Sequence, residues 1–271
     1  MYFAIRDDDT SFFTKPEELE SAFYDIPGIP VSLSVIPAAA AEHGPEKPYG
    51  DLGVQAGWGM IGENTRLVEY IRGNMARGRY EVLMHGIHHQ YYHRKDQWIP
   101  EMCCLSYDQI RKEFPQMRGY LQETFGCGIK IFVAPSNSMG KTAFQWLDEQ
   151  GMDTMCLLSK KIDHPVSKEY VRFYLERNVR KALHMEEYTH MLQYRNHKEL
   201  PVVELGSFEN IWSYYCSCKK YNLPVIIYTH YWELNRDSEK KKLLKRITDA
   251  MIADGARARF VSACFETHAG E

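Results

Sequence analysis

Short apolar runs of strand length alternate along the chain with stretches whose apolar residues recur at helical spacing. The runs are Tyr2–Ile5, Val31–Ile36, Tyr80–Met84, Ile129–Val133, Met152–Leu158, Val202–Leu205, Val225–Tyr228 and Arg259–Ala263. Between them the helix-period stretches have readable ends. Thr14 followed by Glu17 looks like a capping box, and Ser106 followed by Gln109 is a second. Leu67, Val68, Ile71 and Met75 share one helical face, as do Ile110, Phe114, Met117, Leu121 and Phe125. Pro115 lies inside the latter stretch and predicts a kink, while Gly126 and Gly151 suit left-handed stops. Ser207–Lys220 and Asp237–Asp254 complete the helices, the latter with Leu243, Leu244, Ile247 and Met251 as its core face.

This rhythm is β-α repeated seven or eight times, so the strands should be parallel with crossover helices. An open doubly wound sheet and a closed barrel both fit. No Pro/Gly/Ser linker divides the chain, and residues 1–271 read as a single domain. Two stretches break the rhythm, near 38–62 and 159–200, and these predict long insertions.

Composition narrows the class. The chain of 271 residues is 44% hydrophobic and 25% charged, with a formal net charge of −3. That balance excludes disordered and fibrous classes and gives no basic footprint for nucleic acid. No apolar run reaches the roughly 20 residues of a membrane span. The seven cysteines include the adjacent pair Cys103 and Cys104, and Cys216 and Cys218 one residue apart. Neither is a zinc-knuckle or redox spacing, and the odd count favours reduced thiols. Nothing near Met1 resembles a signal peptide, so the expected compartment is cytoplasmic.

Polar residues gather where the apolar runs stop. The first run leads into Asp7-Asp8-Asp9, the third into His85-Gly86-Ile87-His88-His89, the fourth into Ala134-Pro135-Ser136-Asn137, and the seventh into Thr229-His230-Tyr231-Trp232-Glu233. In parallel α/β folds the site lies at the C-terminal strand ends, so these groups should converge. His85 and His89 are four apart. If the chain turns into a helix there, they share a face and can grip one cation, with a carboxylate from the first strand as third ligand. Three consecutive aspartates repel one another unless a cation neutralises them. His230, beside Trp232, suits an acid/base role as well as it suits a core position.

At these residues the sequence resembles polysaccharide deacetylases of the NodB-homology type, carbohydrate esterase family 4. Arg6-Asp7-Asp8-Asp9 is similar to the Arg-x-Asp-Asp motif of a divergent branch, and His85-Gly86-Ile87-His88-His89 to its His-Gly-x-x-His motif. Ala134-Pro135-Ser136 is similar to the third motif without its arginine, and Val225–His230 to the last strand with its histidine. The resemblance implies a distorted (β/α) barrel of seven, or by the run count eight, parallel strands. It implies a hydrolase that removes N- or O-acetyl groups from a sugar or glycan. The cofactor would be a divalent metal, zinc first, with cobalt, nickel or manganese as alternatives. Carried over by position, Asp9, His85 and His89 would be metal ligands, Asp8 the general base and His230 the general acid. Asp7 falls where the family usually has an apolar or aromatic residue, so the base could equally be Asp7.

Two family features lack a counterpart. The third-motif arginine orients the base, and Val133 stands in its place; Arg6 is near in sequence, with its direction open. The residue that tunes the acid histidine is unassigned, with Asp153 and Asp163 as candidates. Two other functions therefore remain in view: a barrel that binds metal and glycan without turnover, and a metal-dependent hydrolase of another amide, ester or glycosidic bond. A cytoplasmic setting favours a nucleotide-linked, lipid-linked or soluble acetamido sugar over mature polymer.

Overall fold

The computed structural model describes residues 1–39, 59–94, 96–156, 167–183 and 189–266. Its centre is β1 (Tyr2–Thr10), which pairs in parallel with β2 (Val31–Val35) on one side and β8 (Val225–His230) on the other. From β2 the sheet continues through β3 (Tyr80–His85), β4 (Ile131–Val133), β5 (Asp153–Cys156) and β6 (Lys198–Pro201), all parallel. After Val202 alone comes β7 (Val203–Glu204), which pairs with β8. The segment 198–204 is thus bonded to β5 by its first half and to β8 by its second, which closes the ring. Counted as one strand, it makes a distorted barrel of seven parallel strands.

Alternation along each strand sorts the side chains into two layers. Ala4, Leu83, Ile131, Val133, Met155, Leu200, Val202, Ile226 and Tyr228 fill the barrel interior. Phe3, Ile5, Leu33, Val82, Met84, Phe132, Val225 and Ile227 face the helices. A small barrel is filled by its own side chains rather than forming a pore. Here the bottom is sealed by one more element. The run 259–263, expected as an eighth strand, instead leads into α10 (Val261–Glu266). Val261, Cys264 and Phe265 are spaced i, i+3, i+4, the spacing of a helix face, and all three join the interior cluster. Ser262 is tied down by Glu81, whose Oε1 accepts the Ser262 N–H at 3.1 Å and whose Oε2 accepts its hydroxyl at 2.6 Å. Lys198 Nζ donates to the Phe265 carbonyl at 2.8 Å.

The helices follow their sequence signals closely. α2 (Thr65–Ala76) buries Leu67, Val68 and Ile71. α4 (Tyr107–Phe125) starts at the Ser106–Gln109 capping box, runs through Pro115 and stops at Gly126 with φ +66°. α5 (Lys141–Gln150) stops at Gly151 with φ +60°. α7 (Phe208–Lys220) is capped by the Ser207 hydroxyl and α9 (Ser238–Ala253) by Asp237. One cap differs. α1 (Pro16–Ala22) begins after Lys15, whose N–H donates to Glu18 at 2.8 Å. Thr14 instead accepts the Ser11 N–H and donates to the Tyr231 hydroxyl at 2.9 Å, because its buried position favours a long-range partner over a cap.

Short helix α3 (Glu101–Cys104) precedes α4, α8 (Tyr231–Arg236) continues directly from β8, and α6 (Lys168–Ala182) lies within the second expected insertion. Most of 38–62, and parts of 159–200, lie outside the described residues. Among the described residues no helix is long and apolar enough to cross a membrane.

The seal at the barrel bottom can be tested directly. Replacing Phe265 with Ala should cost about 3–5 kcal/mol, the range for emptying a buried aromatic site. Denaturant unfolding of the two proteins measures it.

Candidate metal centre

Strand alternation decides where the three aspartates of β1 point. Arg6 and Asp8 follow Ala4 into the barrel, whereas Asp7 follows Phe3 and Ile5 toward the helices. Asp9 should by the same rule face outward. It does not, because the register against β2 slips between Asp7 and Thr10, and Asp9 takes φ +73°. A bulge of this kind re-aims one side chain. It turns the Asp9 carboxylate over the top of the barrel.

His85 is the last residue of β3 and lies on the same interior face as Leu83. The following turn is not the helix that the four-residue spacing suggested. Gly86 and His89 both have positive φ, +66° and +55°, and this irregular turn brings the two imidazoles to a centroid distance of 4.7 Å. Asp9 Oδ1 lies 3.3 Å from His85 Nε2 and 3.3 Å from His89 Nε2. All three side chains are buried, and one ligand atom from each lies within 4.8 Å of the others. Non-glycine residues at positive φ cost energy, and here two of them, Asp9 and His89, belong to one cluster.

The donor set fits a divalent cation. His85 Nδ1 donates to the Val133 carbonyl at 3.0 Å, which leaves the lone pair on Nε2, the atom that faces Asp9. Trp232 Nε1 donates to Asp9 Oδ2 at 3.2 Å, which orients the carboxylate and leaves Oδ1 toward the histidines. Two imidazoles and one carboxylate suit zinc and other late divalent metals.

Beside this cluster, Arg6 is fully buried and donates from one guanidinium nitrogen to Asp8 Oδ2 at 2.6 Å and to Asn137 Oδ1 at 2.9 Å. Its guanidinium carbon lies 4.9 Å from the centre of the Tyr228 ring. Val133, at the place of the missing third-motif arginine, packs in the interior cluster. The guanidinium that reaches Asp8 comes from two residues upstream on the same strand. The turn after β4 supplies Asn137, held at φ +48°. Asp7, by contrast, has no place in the cluster. Burial first, then the charges of Asp8 and Asp9, push its carboxyl well above the usual carboxylate range.

His230 ends β8 and is the lateral partner of Asp8. Its Nε2 lies 3.8 Å from Asp9 Oδ2, and its Nδ1 lies 3.6 Å from Glu233 Oε2. Lys240 Nζ donates to the same Glu233 oxygen at 2.8 Å. Burial alone would lower the His230 pKa. Glu233, Asp9 and Asp8 outweigh burial and raise it above the ordinary 6.5. Burial likewise opposes ionisation of Glu233, but His230 and Lys240 hold its carboxyl down to about 2. Of the two candidate acid-tuning residues, Asp153 is engaged elsewhere, its Oδ1 accepting the Lys198 backbone N–H at 2.7 Å, and Asp163 lies outside the described residues. Glu233 and Trp232 carry a signal that could have found them. Both stand within three residues of His230, where the apolar strand turns into a helix. Asn137 carries none beyond its place at a strand end.

No protein-family model matches the chain, and no curated protein matches it. Solved structures do. The chain is similar to a family 4 acetyl xylan esterase from Clostridium thermocellum in complex with a cobalt ion, at 14% identity and a TM-score of 0.52, covering 98% of this chain and 91% of that one. A family 4 carbohydrate esterase from Streptomyces lividans in complex with acetate matches at 12% identity and a TM-score of 0.50, over 96% and 92% of the two chains. A CE4 family pseudoenzyme from Bacillus anthracis matches at 11% identity and a TM-score of 0.50, over 97% and 65%. At these identities the likeness establishes the fold, which is that of carbohydrate esterase family 4.

The Glu233–His230 pair has a defined pH window. A raised His230 pKa contributes stability that is present below 6.5 and lost as pH rises through the folded value. A Glu233 pKa of about 2 contributes stability present above 4.5 and lost as pH falls through the folded value. In an NMR titration of the metal-free protein, His230 should titrate above 6.5, and Glu233→Gln should move it down.

Proposed function

We propose that the chain is a hydrolase that removes an acetyl group from an N- or O-acetylated sugar or glycan, using a divalent cation held by Asp9, His85 and His89. The observation that carries this reading is the convergence at one barrel end of that ligand cluster, Asp8 and His230. These are the pieces that acyl hydrolysis needs: a Lewis-acid site, a base and an acid. The shared fold with carbohydrate esterases supports the substrate class.

When bound, the cation supplies polarisation of the acyl oxygen and a lowered water pKa. The chain's own residues do the rest. Asp8 accepts a proton from the attacking water. Arg6 holds one Asp8 oxygen and so fixes the direction of the other. Asn137 keeps the guanidinium from rotating away. His230 is paired laterally with Asp8 on the neighbouring strand, so acid and base stand side by side at the same barrel end. It donates its proton to the departing amine nitrogen or alkoxide oxygen. Glu233 stabilises the imidazolium that this step requires, and Lys240 keeps Glu233 ionised. Asp7 takes no part, because it faces the helix layer.

Metal analysis of the purified protein tests the centre. Wild type should hold about one divalent metal per chain and His85→Ala none; equal content in both sinks the reading. Acetate release from acetylated chito-oligosaccharides and acetylated xylan tests the activity. Asp8→Asn and His230→Ala should each lower kcat about 10²–10⁴-fold, the usual worth of a general base or acid.

A further inference from the structure

We propose that Glu101 is a positioning residue for the metal centre, and that its carboxylate is the template around which the turn carrying both histidine ligands is wound. This rests on reading Asp9, His85 and His89 as cation ligands.

After His85 the chain leaves the β3 ladder, and beyond Gly86, whose N–H still donates to the Val133 carbonyl at 3.2 Å, its backbone donors lose their strand partners. Glu101, fully buried at the start of α3, replaces them. Its Oε1 accepts from the Ile87 N–H at 2.6 Å and from the His88 N–H at 3.3 Å. Its Oε2 accepts from the His88 N–H at 3.0 Å and from the Gln90 N–H at 3.3 Å. The Glu101 N–H in turn donates to the Gln90 carbonyl at 2.8 Å. Successive backbone N–H groups pointing at one spot form an anion-binding concavity. In this turn the anion is a side chain of the same protein.

Two further observations tie the carboxylate to the ligands. Gln90, gripped at both its N–H and its carbonyl, directly follows His89, which holds φ +55°. A left-handed residue persists only where its neighbours are fixed. At the other end of the turn, a Cβ on Gly86 would stand 2.3 Å from Glu101 Oε1 and 2.5 Å from Pro135 Cγ. Gly86 is therefore required partly because the carboxylate occupies that space. Pro135 belongs to the turn that supplies Asn137 to Arg6. The space at Gly86 is thus taken jointly by the Glu101 carboxylate and by the turn whose Asn137 accepts from Arg6.

The test is Co²⁺ titration of metal-stripped protein, followed by the cobalt d–d absorption, for wild type, Glu101→Gln and Glu101→Asp. The glutamine keeps the shape but turns an N–H₂ toward backbone donors. Glu101→Gln should weaken Co²⁺ binding about 10–100-fold, the usual effect of losing an outer support of a ligand. Its absorption band should also change, and Glu101→Asp should recover part of both. The proposal is overturned if Glu101→Gln binds Co²⁺ with wild-type affinity and spectrum, even if it melts lower, since that would be a structural role alone. If Glu101→Gln does not fold, wild-type affinity in Glu101→Asp overturns it. If wild type itself takes up no Co²⁺, the metal reading fails, and with it the ground for this proposal.

Discussion

Three adjacent carboxylates, each at most 7% exposed, must be neutralised at the end of one strand. This is the constraint from which the rest of the site follows. Each is met by a different means. Asp7 turns to the helix layer and has its pKa driven up. Asp8 receives the Arg6 guanidinium. Asp9, rotated by the bulge, receives the Trp232 indole N–H and faces two imidazoles, a set that a bound cation would neutralise. Removing one partner of a buried ion pair typically costs about 3–5 kcal/mol, a sizeable part of the 5–15 kcal/mol that holds a domain together. Arg6 and Asp8 are therefore structural whatever their part in the proposed reaction, and neither can be exchanged alone without consequence for the barrel interior.

The ring of strands gives these charges their geometry. Asp8 and His230 are more than two hundred positions apart in sequence, yet they are lateral neighbours because β1 pairs with β8. The turn from His85 to His89 arrives from β3 and the Asn137 turn from β4. Four strand ends meet over a floor that α10 closes from below. The fold supports this convergence without dictating its outcome, since a Bacillus anthracis protein of similar fold is described as a pseudoenzyme. What a barrel does is decided by its rim.

Much of this was legible in the sequence. The strand runs, the capping box at Ser106, the helix from Ser207, the glycine stops at 126 and 151, and the strand-end clusters all state their roles through local periodicity and turn chemistry. The sequence leaves the direction of Arg6 open, and the structure turns its guanidinium to Asp8. Three things were not legible. The bulge that re-aims Asp9 depends on its register against β2. The turn that joins His85 to His89 is not a helix, and the carboxylate that its backbone donors meet comes from the start of α3. The run from Arg259 reads as a strand by composition, but the space left for it under the barrel fits a helix. Each of these is a decision made by long-range packing, where local propensity has little say.

The seam at 198–204 has a consequence in time. Neither margin of the sheet can be joined until that segment and β8 exist, so β1 carries an open edge while everything between is being made. At 5–20 residues per second, the interval between the end of β1 and the start of β8 is roughly ten to forty seconds. During it, an apolar strand tipped with three acids waits for its partner. Pairings of such sequence separation are slow to form. The acids at the tip make the unpaired edge a poor template for other chains, much as charges guard exposed edges elsewhere. The same three residues that crowd the finished site thus put charge on that edge before there is a site at all.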